Sequence, residues 1–313
     1  MTRRTAIITG GNSGLGYQAA RCLAKDQFWH VVLTSRELKR GSDAVRKIVE
    51  ATGNDQVETL TLELASLASV RDFVSQFAET DRPPIAAILC NAGVHIVNGL
   101  ILSADGYEIT FAVNHLAHFL LVNLLLPQLS EEARIIFVSS GTHASEQETG
   151  MPAPKLGNIY ELAHPDRTEF QRRPGFAGRR AYTTSKLCNI LCSYEMDRRL
   201  AAKNRSIHVN AFDPGLMPGS GLARHYGFGL RAVWHFALPA LRLFMRNINS
   251  TRTSGERLAN LATDARLAGV RGKYFIGDRV GRSSEESYDE QKAKLLWNVS
   301  QELAGLRTEE QII

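Results

Sequence analysis

The chain is poor in the features that mark several classes of protein. It has four cysteines, at positions 22, 90, 188 and 192, and no Cys-x-x-Cys pair, so we expect neither a disulfide framework nor a metal site. No repeat, low-complexity tract or Pro/Gly-rich linker divides the 313 residues, which favours a single domain over 1–313. The net charge of +5 is spread along the chain, so no basic stripe of the kind that binds nucleic acid is present.

The sequence also offers no secretion signal or clear membrane span. Residues 1–4 lead straight into the first predicted strand and leave no room for a signal peptide. The stretch 226–246 is rich in aromatic and aliphatic residues, but Arg231, Pro239 and Arg242 interrupt it, and it is too broken to cross a bilayer. We therefore expect a cytoplasmic protein whose contact with a membrane, if any, is peripheral and runs through 226–246.

The sequence does contain a regular alternation of strand-like and helix-like stretches. The predicted pairs are 31–34 with 39–50, 57–62 with 66–79, and 85–89 with 104–126, followed by a strand at 135–138. A helix at 255–265, a short strand at 273–276 and a terminal helix at 285–304 are predicted near the end. Such alternation predicts an α/β fold, a Rossmann-type doubly wound parallel sheet of about seven strands with helices on both faces. Its ligand is expected at the carboxyl ends of the strands.

A glycine-rich turn separates the apolar run 5–8 from the helix-like stretch 17–25. Residues 9–16 read Thr-Gly-Gly-Asn-Ser-Gly-Leu-Gly. Glycines in this pattern permit a tight strand-to-helix turn and let the backbone approach a pyrophosphate, which the N-terminus of the new helix attracts. The residues predicted to hold the cofactor phosphates are Gly10, Asn12, Ser13, Gly14, Leu15 and Gly16.

The second predicted strand ends in Ser35-Arg36, twenty positions after Gly16. NAD-binding proteins of this layout place an acid here for the ribose 2′-hydroxyl, whereas a guanidinium suits a 2′-phosphate. Arg36 therefore predicts NADP(H) as the cofactor. The alternative is a surface arginine at the end of the strand, beside Glu37.

Two further motifs complete a resemblance to a known family. Asn91-Ala92-Gly93 follows the fourth predicted strand, and Tyr182-Thr-Thr-Ser-Lys186 lies farther along the chain. With the glycine-rich turn, they make the chain resemble the short-chain dehydrogenase/reductase family, whose motifs occur here in the family's order. The resemblance implies cofactor contacts from Glu63, Leu64, Asn91, Ala92, Gly93, Tyr182, Lys186, Pro214 and Gly215, with Glu63 near the adenine.

Tyr182 and Lys186 also make chemical sense by themselves. A spacing of four places both side chains on one helical face. A tyrosine that exchanges protons near neutral pH needs a pKa about three units below its usual value, a change of about 4 kcal/mol. A lysine cation about 4 Å away can supply that at an effective dielectric near 20. We therefore predict Tyr182 as the acid/base and Lys186 as the group that lowers its pKa and binds the nicotinamide ribose; an exposed pair is the alternative.

The resemblance implies two more residues in the active site. Asn114 matches the family's asparagine, which anchors a water leading to Lys186, and Ser140 matches the serine that holds and polarises the substrate oxygen. Ser139 is the competing assignment for that serine. His115 and His118 lie three apart, but no further ligands accompany them, so no metal site is predicted there.

A long insertion distinguishes the chain within the family. Many more residues than usual separate Ser140 from Tyr182, so 143–180 form an insertion beside the active site. This insertion, the run 181–189 and the tail 289–297 resemble the light-dependent protochlorophyllide oxidoreductases and their non-photosynthetic relatives. Those pigment reductases carry cysteine after Pro-Gly, where this chain has Leu216, and commonly read Asn-Ala-Ala where it has Asn-Ala-Gly.

We therefore expect an NADPH-dependent enzyme that transfers hydride between nicotinamide and a carbonyl or alcohol of a bulky hydrophobic substrate. A lid at 217–247 is expected to cover that substrate. Membrane-surface contact and a subunit interface are the competing interpretations of its apolar part, and a homo-oligomer stays open. Light-dependent reduction of a C=C bond in protochlorophyllide is the alternative activity. A catalytically silent NADP(H)-binding sensor or scaffold is the alternative from another class of protein.

Overall fold

The fold is built around one β-sheet. The computed structural model describes residues 2–145, 149–217 and 249–313. The strands are β1 Arg4–Ile8, β2 Trp29–Ser35, β3 Val57–Thr61, β4 Ile85–Cys90, β5 Leu129–Val138, β6 His208–Asp213, β7 Tyr274–Ile276 and β8 Arg279–Gly281. Their order in the sheet is β3-β2-β1-β4-β5-β6-β7-β8, with β1 to β7 parallel and β8 antiparallel to β7. The Rossmann-type doubly wound sheet is confirmed, with an antiparallel edge strand that the sequence analysis did not predict.

Helices cover both faces of the sheet. They are α1 Gly14–Leu23, α2 Leu38–Thr52, α3 Leu67–Ala78, α4 Ile109–Phe111, α5 Ala117–Leu125, α6 Ile159–Ala163, α7 Arg167–Arg172, α8 Pro174–Ala202, α9 Thr251–Thr263 and α10 Glu290–Leu303. A π-helical turn, Ala112–Leu116, joins α4 to α5. Local chemistry sets several boundaries: Ser66 caps α3 through its side chain, and Gly53 ends α2 with a left-handed φ of 68°.

The order of the strands reverses direction at β1, and this reversal opens the site. β1 pairs with β2 on one side and with β4 on the other. The chain segments that follow β1 and β4 therefore run to opposite faces of the sheet. Ligands of such sheets bind in the crevice outside the carboxyl ends at this point. The chain leaves β1 at Thr9, β4 at Asn91 and β5 at Ser139, which brings these three residues to the same edge.

Two hydrophobic layers hold the helices onto the sheet. On one face α1, α2 and α9 contribute residues such as Leu23, Ile48 and Leu258; on the other, α5 and α10 contribute Phe119 and Trp297. The segment Ile109–Gln128 is long and apolar enough to cross a membrane by composition, but 94% of its most apolar window is buried inside the fold. It therefore serves as a core helix here.

Several predicted boundaries were wrong: β5 and α9 begin earlier than predicted, at Leu129 and Thr251, and two helices begin well after their predicted starts. The helix expected from 104 begins at Ile109, because Gly106 turns the chain with a φ of 81° and the Glu108 carboxylate accepts the Phe111 N–H at 2.7 Å. The helix expected from 285 begins at Glu290, because Asp289 caps it after a short 3₁₀ turn.

The insertion and the lid differ in how far the structure describes them. The described part of 143–180 contains α6, α7 and the first turns of α8. The predicted lid 217–247, with its apolar part 226–246, lies outside the described residues except for Met217, which packs against the layer formed by α1, α2 and α9.

Candidate active site

The turn between β1 and α1, which was predicted to hold the cofactor phosphates, has an unusual backbone conformation. Gly10 and Gly14 adopt positive φ angles of 63° and 56°, which L side chains rarely take up. A Cβ on Gly16 would lie 2.5 Å from Asn91 Nδ2 and 2.6 Å from the Gly10 carbonyl oxygen. Ser13 precedes α1, but its side chain accepts no hydrogen bond from the first N–H groups of the helix. The predicted phosphate cradle therefore has the required backbone shape.

Hydrogen bonds tie this turn to the loop after β4. Thr9 Oγ1 accepts from the N–H groups of Asn91 (2.8 Å) and Ala92 (2.9 Å), and Asn91 Nδ2 donates to the Thr9 carbonyl (2.7 Å). Asn12 is partly buried. The Leu15 side chain is buried in the core, so a ligand could contact this residue only through its backbone. The two motifs predicted to meet the cofactor thus form one connected surface.

Arg36 lies at the end of β2, where the cofactor's adenosine was predicted. Its side chain is 57% exposed, and its Nε lies 4.0 Å from Glu63 Oε2. Glu63 also accepts the Ala65 N–H at 2.9 Å, which fixes its carboxylate beside the strand end. Ser35 is buried and donates to the Glu37 carbonyl at 2.9 Å, while Leu64 is buried in the core. The structure therefore brings Arg36 and Glu63 together and turns the Leu64 side chain into the fold.

Tyr182 and Lys186 lie one turn apart on α8, and both are buried. Lys186 Nζ is 5.4 Å from the centre of the Tyr182 ring and donates to the Val138 carbonyl at 3.1 Å. Burial lowers the pKa of Lys186 to about 8, against the opposing effect of the Asp213 carboxylate. The cation predicted from the sequence is thus adjacent to the phenol ring, in a site from which water is largely excluded.

Asn114 lies in the π-helical turn and is fully buried. Its Oδ1 accepts the Val94 N–H at 2.7 Å, and its Nδ2 donates to the Val94 carbonyl at 3.0 Å and to Ser185 Oγ at 2.9 Å. Ser185 Oγ in turn donates to the Tyr182 carbonyl at 2.7 Å. Among the described residues, three of the four hydrogen bonds open to this amide are made with protein, and one Oδ1 lone pair can take the predicted water.

Gly93 gives Asn114 and Lys186 room to meet. A Cβ on Gly93 would lie 3.2 Å from Asn114 Oδ1 and 3.8 Å from Lys186 Nζ. A side chain there would press on the Asn114 amide and make ordinary van der Waals contact with Lys186, so an alanine would require a small shift of Asn114.

The two serines after β5 have different surroundings. Ser139 Oγ donates to the Lys186 carbonyl at 2.8 Å, and the side chain is buried. Ser140 is partly exposed, and its Oγ accepts the Thr142 N–H at 3.3 Å. Ser139 therefore joins β5 to α8, and its hydroxyl proton is already committed. Within the part of the chain that the structure describes, the Ser140 hydroxyl has no acceptor for its proton, which fits the role predicted for it.

The loop after β6 is fixed by Asp213, a buried residue that the sequence analysis did not single out. Its carboxylate accepts the Gly215 N–H at 2.9 Å and the Tyr274 hydroxyl at 3.2 Å, and burial raises its pKa. The Pro214 carbonyl accepts from Ser254 Oγ at 2.7 Å, and Gly215 has a φ of 75°. The predicted cofactor residues Pro214 and Gly215 are therefore held at the carboxyl end of β6.

His95 was also missed, although it contacts the central residue of the site. Its ring stacks on that of Tyr182, with centroids 4.4 Å apart and planes inclined by 28°. Gly178 permits this arrangement, because a Cβ at position 178 would overlap the carbonyl oxygen of Ile96. In the sequence, the only indication of a role for His95 was its position two residues after the Asn-Ala-Gly motif.

His143 anchors the turn that carries Ser140. Its Nδ1 donates to the Ser140 carbonyl at 2.7 Å, and its Nε2 accepts the Ser284 N–H at 3.0 Å. The ring also lies against Tyr274, with centroids 5.0 Å apart. The C-terminal part of the chain therefore helps to place the candidate serine.

Comparison with known proteins shows the family to which the chain belongs. The short chain dehydrogenase profile matches residues 4–153, and the profile of the AcuH dehydrogenase domain matches 223–313. Protochlorophyllide reductase A of Oryza sativa is 33% identical over 96% of this chain and 80% of its own length. Short-chain dehydrogenase TIC 32 B of Brassica napus is 34% identical over 95% of this chain and 87% of its own.

Solved structures share the fold over most of the chain. An uncharacterised protein of Mycobacterium paratuberculosis superposes with a TM-score of 0.70 at 27% identity, covering 97% of this chain and 94% of its own. RhlG of Pseudomonas aeruginosa, solved with NADP, superposes with a TM-score of 0.65 at 22% identity, covering 89% of this chain and 96% of its own. With these relatives, including the protochlorophyllide reductases that the sequence resembled, the chain belongs to the short-chain dehydrogenase family of oxidoreductases.

Proposed function

We propose that the protein is an NADPH-dependent oxidoreductase that reduces a carbonyl group of a bulky hydrophobic substrate, or oxidises the corresponding alcohol. The observation that supports this proposal most strongly is the buried pair of Tyr182 and Lys186, 5.4 Å from ring centre to Nζ, beside Asn114. Bound NADPH supplies the hydride for the carbonyl carbon. Tyr182 donates its proton to the carbonyl oxygen, so hydride and proton together give the alcohol.

The neighbouring residues prepare this proton transfer. Ser140 donates a hydrogen bond to the substrate oxygen and holds it near the Tyr182 hydroxyl. Lys186 favours the ionised form of the phenol that remains after the transfer. The phenolate of Tyr182 regains its proton from Lys186, and a water on the open Oδ1 lone pair of Asn114 then reprotonates the lysine. The stacked His95 ring limits where the Tyr182 ring can lie.

NADP(H) fits the cofactor side of the site. The glycine turn admits a pyrophosphate, and the exposed Arg36 offers a guanidinium for a 2′-phosphate. Arg36→Ala should weaken NADPH binding about tenfold or more and change NADH binding little. Arg40→Ala is the matched control, because Arg40 is 63% exposed on the next turn and paired with Glu37 at 3.0 Å. Equal NADPH affinity in wild type and Arg36→Ala, measured by fluorescence titration, would contradict the assignment.

The reaction class is tested by NADPH oxidation in darkness across bulky aldehydes, ketones and quinones. The proposal predicts turnover of at least one carbonyl compound, with formation of its alcohol, and loss of that turnover in Tyr182→Phe. Carbonyl turnover that survives in Tyr182→Phe would overturn the proposed role of the tyrosine.

Light-dependent reduction of protochlorophyllide is the second candidate, because relatives with that name align over 96% of the chain. Protochlorophyllide is therefore included in the assay, in darkness and under illumination. Its loss under light alone, without dark turnover of any carbonyl compound, would replace the first proposal by the second. We further propose a cytoplasmic location and a lid at 217–247, of which the structure describes only Met217.

A further inference from the structure

His118 is a fully buried histidine that connects the two halves of the site. It lies on α5, one turn after Asn114. Its Nε2 is 2.8 Å from Thr9 Oγ1, and its Nδ1 is 3.2 Å from the Asn114 carbonyl oxygen. Thr9 holds the loop after β4, and Asn114 holds Val94 and Ser185. One imidazole ring therefore bridges the start of the glycine turn and the π-helical turn.

The partners of His118 decide which ring nitrogen carries the proton. The Asn114 carbonyl can only accept, so Nδ1 must donate. Thr9 Oγ1 already accepts two backbone N–H groups, and its own proton points best to Nε2, since the other acceptor, the Leu89 carbonyl, is farther away at 3.3 Å. Burial lowers the pKa of His118 to about 4, so the ring is neutral at physiological pH. Every polar atom of the bridge is thus used.

We propose that His118 is a positioning residue. It couples cofactor binding at the glycine turn, which begins at Thr9, to the position of Asn114. Through Ser185, this coupling extends to the turn of α8 that carries Tyr182. The proposal rests on the proposed function, because it assigns Asn114 and Tyr182 their parts in proton transfer. A shift of the Thr9 hydroxyl on cofactor binding reaches the Asn114 carbonyl through a rigid aromatic ring rather than through a flexible chain. Two groups that a cofactor enzyme must align are therefore linked by one side chain.

The chain contains a matched control for this bridge. His115 lies three residues earlier, is also fully buried, and has its pKa lowered to about 3 by burial. Its Nε2 is 2.9 Å from Ser300 Oγ on α10, away from the cofactor turn. A change at His115 disturbs the packing of the same helix without touching Thr9 or the Asn114 carbonyl.

Two conservative variants separate the two ends of the bridge. His118→Asn keeps a donor for the Asn114 carbonyl, as Asn123 does for the Phe119 carbonyl four residues earlier at 2.8 Å, but it is too short to reach Thr9. In His118→Gln the longer amide side chain reaches Thr9, but no donor remains at the position of the histidine Nδ1. His118→Leu loses both contacts, and His115→Gln serves as the control.

We expect His118→Asn to weaken NADPH binding about tenfold and His118→Gln to lower kcat about tenfold with NADPH affinity nearly kept. His118→Leu should show both losses, and His115→Gln neither. NADPH affinity is measured by fluorescence, which needs no substrate. Hydrogen exchange of amides 112–118 gives a second readout: NADPH should slow it in wild type and His115→Gln, but not in His118→Asn. These two measurements stand even if no carbonyl substrate is turned over, so failure of the proposed function is distinguishable.

Three results would overturn the coupling. One is unchanged NADPH affinity and kcat in all three His118 variants, with only their melting temperatures lowered. Another is the same pair of losses in His115→Gln. The third is failure of all three His118 variants to fold while His115→Gln folds, since His118 would then serve folding alone. If only His118→Leu fails to fold, the Asn and Gln variants carry the test.

Discussion

Lys186 is a buried lysine whose charge depends on its surroundings. It is buried on α8, donates to the Val138 carbonyl at 3.1 Å, and has its pKa lowered by burial to about 8. Asp213 acts in the opposite direction, because its carboxylate favours the lysine cation. With a pKa of about 8, Lys186 loses its positive charge beside Tyr182 at mildly alkaline pH.

The first prediction concerns pH. The rate of carbonyl reduction should fall as pH rises through about 8, because Lys186 then loses the proton that gives it its charge. Asp213→Asn removes the carboxylate that supports the cation, so the fall should begin at a lower pH. Tyr274→Phe is the control, since it removes a partner of Asp213 but keeps its carboxylate. Profiles of kcat/KM against pH that coincide for wild type and Asp213→Asn would contradict this account.

The second prediction separates the adjacent serines. Ser140→Ala should lower kcat about a hundredfold, because the substrate oxygen loses a donor where charge develops. Ser139→Ala should keep kcat within about threefold and lower the free energy of unfolding by about 1–2 kcal/mol, since its lost bond is the one to the Lys186 carbonyl. Steady-state kinetics and urea unfolding of both variants check this. A large loss of kcat in Ser139→Ala with an active Ser140→Ala would reverse the assignment.

At the scale of elements, an ion cluster joins β2, β3 and the loop before β4. Glu58 accepts from Arg82 Nε at 2.6 Å and lies 3.0 Å from His30 Nε2. The contact with His30 and the bond from Arg82 lower the pKa of Glu58 to about 2, against the effect of burial. The side chain is 33% exposed, so solvent screens part of this interaction.

The third prediction concerns the stability that this cluster provides. A carboxylate with a lowered pKa stabilises the fold above its unfolded pKa of about 4.5 and loses that contribution as pH falls toward 2. After allowance for screening, Glu58→Gln should lower the free energy of unfolding by about 1–2 kcal/mol at pH 7 and by about half as much at pH 3. Glu50→Gln, which removes an exposed pair with Arg46, should cost under about 0.5 kcal/mol. Urea unfolding at both pH values measures this; an equal loss at pH 7 and pH 3 for Glu58→Gln would contradict it.

The elements that the sequence predicted well are those with a strong local signal. The apolar runs of β1, β2 and β4 and the glycine turn were predictable because their pattern depends on neighbours within a few residues. The π-helical turn Ala112–Leu116 was not, since the helix around it is buried on nearly all sides and has no apolar stripe that an extra residue would visibly shift. Strand β8 has three residues, too few for a pattern, and exists because β7 offers it an edge.

At the scale of the whole molecule, the fold assembles the site from distant parts of the chain. The family motifs predicted which residue types to expect. In the structure Lys186 lies over the Tyr182 ring, and Asn114 is hydrogen-bonded to Ser185, which precedes Lys186 on α8. The bridging role of His118 and the stacking of His95 on Tyr182 were not predictable, because each joins residues far apart in sequence. In the sequence, His118 is separated from Thr9 by 109 positions. Such contacts follow from the packing of whole elements against the sheet.

The central claim is that Tyr182 transfers the proton in a hydride reaction that uses NADPH. Its most direct test is a single-turnover measurement in darkness, with NADPH bound to the enzyme and an active carbonyl substrate added. Tyr182→Phe should bind NADPH within about threefold of wild type but reduce the substrate about a thousandfold more slowly. Reduction at the wild-type rate by a fully NADPH-bound Tyr182→Phe enzyme would contradict the account.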